Sequence, residues 1–175
     1  MVLLEVQRNH SELSPSGTQG METTIMTAKN LNRFIQSGDV KHLDVPWCHV
    51  EELSTLESVG ADRLFMVRAT MPAGEGHNFH CHPGREEVLY LLDGEAEQWV
   101  GTEHRLLRPG DVAFIPMGLP HATFNIGPKT LRFLAILSPV QTDGLFTIDV
   151  FDEEPWTTVR PAVAHPGYTP IKDSC

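Results

Sequence analysis

From Gly60 onward the chain alternates short apolar runs with turn residues. The runs are Leu64–Ala69, Val88–Leu92, Glu97–Val100, Val112–Ile115, Ala122–Ile126, Leu131–Leu137 and Phe146–Val150. Pro72-Ala73-Gly74, Asp93-Gly94, Arg108-Pro109-Gly110-Asp111, Gly118-Leu119-Pro120 and Gly127-Pro128-Lys129 punctuate them. Short apolar runs bounded by such turn signals predict strands. No helical pattern long enough for a crossover separates them, which disfavours a parallel α/β sheet. An all-β fold follows, a sandwich or small barrel of antiparallel strands.

Before Gly60 the pattern differs. Thr27 can cap a helix, Leu31, Phe34 and Ile35 fall at helical spacing, and Gly38 supplies a stop, so one short helix is predicted over Thr27–Gly38. A second helical turn is expected within Val50–Leu56. Residues 1–20 are polar and rich in breakers, which reads as a disordered or appended lead. The expected organisation is therefore a lead (1–20), a helix with its connecting segment (21–59), a β domain (60–151) and a proline-containing tail (152–175) that packs outside or frays.

Composition narrows the function. A chain of 175 residues, 41% apolar and 21% charged, suits one globular domain. Its net charge of −10 makes a nucleic-acid partner a poor fit. No apolar run reaches the roughly 18 residues of a membrane span. The segment Met1–Arg8 has no basic region and carries Glu5, so it does not read as a signal peptide. Cys48, Cys81 and Cys175 are odd in number and scattered; unpaired thiols in a reducing cytoplasm are the expectation.

Candidate chemistry begins at His80-Cys81-His82, the end of an expected strand. Residues i and i+2 share a strand face, so both imidazoles point one way and Cys81 the other, as a small core residue. Glu87 opens the next strand beyond the corner Pro83-Gly84, and His121 opens another directly after Pro120. Three imidazoles and a carboxylate on one inner face would make a mixed N/O site for a divalent transition metal. His77 reads as a solvated loop residue, and Asn78 as a possible pocket-lining one. Phe133 and its neighbours on the same run read as interior or pocket wall. Asn125 shares the face of His121 and is either a second layer around the metal or a turn cap. Trp99 and Trp156 read as packing aromatics.

These residues resemble the two motifs of the cupin superfamily. Gly74-x5-His80-x-His82-x4-Glu87-x6-Gly94 matches the first at all fixed positions, and Gly110-x5-Pro116-x-Gly118-x2-His121-x3-Asn125 the second. Fifteen residues separate Gly94 from Gly110, the short spacing of small microbial cupins. The resemblance implies a cupin-like double-stranded jelly roll over about Gly60–Val150. It implies His80, His82, Glu87 and His121 as ligands of one Fe, Mn, Ni or Zn ion. Glu86 is the rival for Glu87, but the count to Gly94 and strand alternation both select Glu87, which is also the expected catalytic group.

An open three-His, one-carboxylate site points to catalysis or ligand binding, not to a closed structural metal. Relatives with this ligand set include quercetin-type and acireductone-type dioxygenases and oxalate decarboxylases. The resemblance thus implies a metal-dependent enzyme of dioxygenase or decarboxylase type, acting on a small oxygenated molecule. A non-catalytic binding module is the alternative, and a sugar isomerase or epimerase a further one. Outward-facing Val88, Tyr90 and Leu92 lead to the expectation of a homodimer.

Overall fold

The computed structural model describes residues 32–175. Eleven strands dominate: β1 (Lys41–Val45), β2 (Cys48–Ser54), β3 (Phe65–Met71), β4 (Gly76–Cys81), β5 (Glu86–Asp93), β6 (Ala96–Val100), β7 (Glu103–Leu107), β8 (Val112–Ile115), β9 (His121–Asn125), β10 (Leu131–Ser138) and β11 (Ile148–Asp149). One sheet runs β1-β2-β3-β10-β5-β8, the other β11-β4-β9-β6-β7, and every pairing is antiparallel. The fold is the expected all-β jelly roll. Its two sheets face one another but are hydrogen-bonded separately, so they do not close into a barrel.

Alternation fills the space between the sheets. Val67, Ala69 and Met71 from β3, Leu89 and Leu91 from β5, and Phe133, Ala135 and Leu137 from β10 meet Ala96 and Leu107 of the other sheet. A second apolar cluster lies on the opposite face of the five-stranded sheet. There Phe79, Cys81, Trp99, Ala122 and Phe124 are covered by Val150, Phe151, Trp156, Val159 and Val163. Trp99 and Trp156 are packing residues, as expected. The segment expected to pack or fray is in part a lid on this face, with a four-residue helical turn at Trp156–Val159.

Ahead of Gly60 the structure departs from the sequence reading. The lead (1–20) and the first part of the expected helix, through Leu31, lie outside the described residues. From Asn32 to Gln36 no helix forms, and only a 3₁₀ turn at Ser37–Asp39 follows. The helical turn expected within Val50–Leu56 belongs to strand β2, and a single turn of helix comes later, at Leu56–Val59. Thr55 and Ser58 form a capping box at its start. The residues Val50-Glu51-Glu52-Leu53 have good helix formers, but pairing with both β1 and β3 overrides that preference.

Cys81 and Cys175 are also not the unpaired thiols expected. They form a disulfide across 94 residues of sequence, with Cα atoms 6.0 Å apart. Residues 161–175 return along β4 and β11 and bring the two sulfurs together, a proximity that sequence spacing does not reveal. Cys48 is a free thiol, buried between the sheets.

Candidate metal centre

β4 and β9 supply the histidines. His80 pairs directly with His121 across these strands, so both imidazoles project from one face. His82 lies two residues beyond His80, just past the end of β4, and keeps that face. From the other sheet, β5 points Glu87, Leu89 and Leu91 inward, with Arg85 buried just ahead of it, while Glu86 and Tyr90 face out. Glu87 is 6% exposed, and His80, His82 and His121 are as well buried. Alternation along β5 thus puts the inner carboxylate on Glu87, not Glu86.

Main-chain carbonyls set the tautomer of each histidine. Nδ1–H of His80 donates to the Asn78 carbonyl at 2.7 Å, that of His82 to the Phe146 carbonyl at 2.7 Å, and that of His121 to the Leu119 carbonyl at 3.0 Å. A carbonyl only accepts, so the proton sits on Nδ1 and each Nε2 keeps its lone pair. The three imidazoles bring ligand atoms within 4.8 Å of one another. Glu87 Oε2 lies 3.0 Å from His121 Nε2 and 3.4 Å from His82 Nε2.

Glu87 Oε2 and His121 Nε2 are buried and have no hydrogen-bond partner among the described residues. Two lone pairs facing each other at 3.0 Å in a dry interior repel, and a buried orphan acceptor is costly. A cation among these atoms relieves both problems. The donor set, three imidazoles and one carboxylate, fits a divalent transition metal. Burial pushes the His80 imidazole well below its usual pKa, and neighbouring imidazoles add to the effect, which favours the neutral ligand form. For Glu87 burial opposes the charge. The edges of His121 and His82, when protonated, outweigh it and hold the carboxyl below its ordinary range; a bound cation acts in the same direction.

His77 is not a solvated loop residue. It stands on β4, where an irregularity in the β4–β9 pairing between His77 and His80 puts two residues three apart on the same side. Its ring stacks on His80, with centroids 3.5 Å apart, and on Trp47 at 4.3 Å. Asn78 supports the centre through its carbonyl, while its side chain makes two hydrogen bonds to the Val163 main chain. Asn125 caps turns: it donates to the Met71 and Lys129 carbonyls and accepts from Gly127 N–H. Phe133 pairs with Leu91, four residues along from the Leu137–Glu87 pair, so it is interior wall at about 13 Å along the strand.

Arg85 escaped the sequence reading. Its buried guanidinium donates to the carbonyls of Pro83, Val140 and Leu145 and lies 4.7 Å above the Phe146 ring. It thereby steadies the loop whose Phe146 carbonyl orients His82. Its place on the inward row with Glu87 was the available signal.

The family model described as "Cupin domain" matches residues 67–137. The polyketide synthase CurC of Streptomyces cyaneus is 33% identical over 105 residues, covering 58% of this chain and 68% of that protein. The dimethylsulfoniopropionate lyase DddQ of Ruegeria pomeroyi is 47% identical over 64 residues, covering 36% of this chain but only 31% of its own length. Among solved structures, the polyketide cyclase RemF of Streptomyces resistomycificus superposes with a TM-score of 0.57 at 25% identity, over 74% of this chain and 94% of that one. With both motifs in place on a jelly roll of this topology, the chain belongs to the cupin superfamily.

Proposed function

We propose that the protein is a metal-dependent enzyme acting on a small oxygenated organic molecule, with one divalent Fe, Mn, Ni or Zn ion held by His80, His82, His121 and Glu87. The observation that carries this reading is the set of three Nδ1–H···O=C bonds, which leaves three clustered Nε2 lone pairs, two of them against the buried carboxylate oxygen of Glu87. A bound ion supplies Lewis acidity to a carbonyl or carboxylate oxygen. The chain's own residues supply the rest. The two sheets exclude water, the carbonyls of Asn78, Leu119 and Phe146 keep the imidazoles in register, and Glu87 can accept a proton when not fully committed as a ligand.

Between the two reaction types implied by the motifs, we favour the non-oxidative one. The names of the relatives, a lyase of a propionate and a polyketide cyclase, refer to chemistry on carbonyl-bearing molecules. The dioxygenase type is the second reading. A third, simple binding, gains weight from an oxalate-binding protein of Thermotoga maritima, 35% identical over 75 residues.

The test begins with metal analysis of protein purified without added metal. The metal-loaded protein is then offered a panel of short carboxylic acids, 1,3-diketones and flavonols, with product and oxygen both followed. Metal-dependent turnover that persists under argon supports the proposal. Oxygen uptake matching product selects the dioxygenase type, and tight binding without turnover selects the binding module. Protein that takes up no divalent metal overturns the metal reading altogether.

A further inference from the structure

Residues 161–175 are tied to the strand that carries the histidines. The Asn78 side chain grips the main chain of Val163 from both sides, and His165 Nε2–H donates to the Gly76 carbonyl at 2.9 Å. Tyr168 Oη–H donates to Asp149 at 2.6 Å, while Ile171 and Asp149 exchange hydrogen bonds beside it. At the end of this path lies the Cys81–Cys175 disulfide. Cys81 stands between His80 and His82 in sequence, on the opposite face of β4, and is fully buried; Cys175 is exposed. The same segment also reaches the centre from the other side. Tyr168 packs edge-on against Trp47 at 5.3 Å, Trp47 stacks on His77, and His77 stacks on His80.

We propose that Cys81–Cys175 is a reversible redox site that couples thiol–disulfide exchange to the metal centre. Closed, it clamps residues 161–175 on β4 and holds His80 and His82 in register. Opened by a dithiol reductant, it frees this clamp and loosens the ligand strand. With Cys175 exposed and Cys81 fully buried, a thiolate attacks at Cys175. Attack there breaks the protein S–S bond, forms a mixed disulfide on Cys175 and expels the Cys81 thiolate, which takes up a proton. The reductant's second thiolate then attacks the mixed disulfide and releases Cys175 as a thiol. The protein gains two electrons and two protons, and the dithiol leaves as its own disulfide. Only the consequence for the metal rests on the function proposed above; the opening of the clamp does not.

Full-length protein is equilibrated with oxidised glutathione, or reduced with dithiothreitol, and its thiols are alkylated after denaturation and counted by intact mass. The oxidised form should show one free thiol, Cys48, and the reduced form all three cysteines. Hydrogen exchange in Gly76–Cys81 should accelerate on reduction. Zinc-loaded protein should surrender its ion to a chelator about tenfold faster, the scale of losing support behind a metal ligand. C175S should match the reduced protein on both readouts and ignore dithiothreitol. Three free thiols after the glutathione step overturn the proposal, as do exchange and zinc loss unchanged in both reduced protein and C175S. If zinc binds in neither redox state, the metal reading fails, and exchange in β4 alone decides for or against the clamp.

Discussion

Each histidine of the centre is held by a carbonyl at Nδ1, and the three gather their ligand atoms together, with Glu87 Oε2 beside Nε2 of His82 and His121. His121→Ala or His80→Ala should therefore strip most of the metal, because three remaining ligands lose both affinity and geometry. Glu87→Gln keeps size and one oxygen but loses the charge and the proton acceptor. Its metal content should fall only in part while turnover drops by about 10²–10⁴-fold, the scale of losing a general base. Glu86→Gln, on the outer face, should change neither; metal analysis and steady-state rates on the four variants check the series. Cys48 carries a different test. Burial pushes its thiol from 9.0 up to about 12, so the folded protein favours the neutral form. Its contribution to stability is whole below about pH 9 and is lost as pH rises toward 12. The melting temperature should fall across that window, and less steeply in Cys48→Ala. The gathering of His80, His82 and His121 on one face, and the inward placing of Glu87 rather than Glu86, were legible in the sequence because spacing and period-two alternation fix a strand's faces. The placing of His77 was not, since it depends on an irregular pairing that no residue type announces.

At the scale of elements, the turns decide where those strands end. Gly94 and Gly110, both fixed positions of the motifs, adopt φ of 88° and 97°, where a side chain is strained by about 1–2 kcal/mol. Their surroundings differ. A Cβ on Gly94 would meet the Thr130 carbonyl oxygen at 2.9 Å and Leu131 Cα at 3.0 Å, both backbone atoms, whereas among the described residues nothing lies within 4 Å of one on Gly110. Gly110→Ala should cost only the conformational strain, while Gly94→Ala adds an overpacking penalty of about 1–3 kcal/mol. Urea midpoints compared at equal slope would reveal the difference, and equal losses would refute the steric account. The run-and-turn pattern after Gly60 made most of these strands visible, β8 to the residue. β1, β2 and β7 were hidden, because His, Glu and Arg on their outward faces dilute the apolar alternation.

For the whole molecule, the outer face of the six-stranded sheet presents a problem that a second copy of the chain would solve. β8 is an edge strand, and its pairing with β5 sets Phe114 beside Val88 and Val112 beside Tyr90. Val112 and Phe114 are each 54% exposed, and Tyr90 and Leu92 remain more than a third exposed. Such an apolar patch, on an edge unpaired among the described residues, invites association unless something covers it. A two-fold axis through such a patch lets each protomer bury the other's Phe114 and Tyr90 with one self-complementary surface, provided roughly 800 Å² per partner is covered. Light scattering on the full chain at micromolar concentration should therefore report a dimer. Phe114→Glu, which puts a charge at the centre of the patch and touches neither the interior nor the histidines, should shift the protein to monomer. Its circular dichroism and metal content should stay unchanged. A wild-type monomer would mean that the patch has another occupant; a variant that stays dimeric would place the interface on a different face.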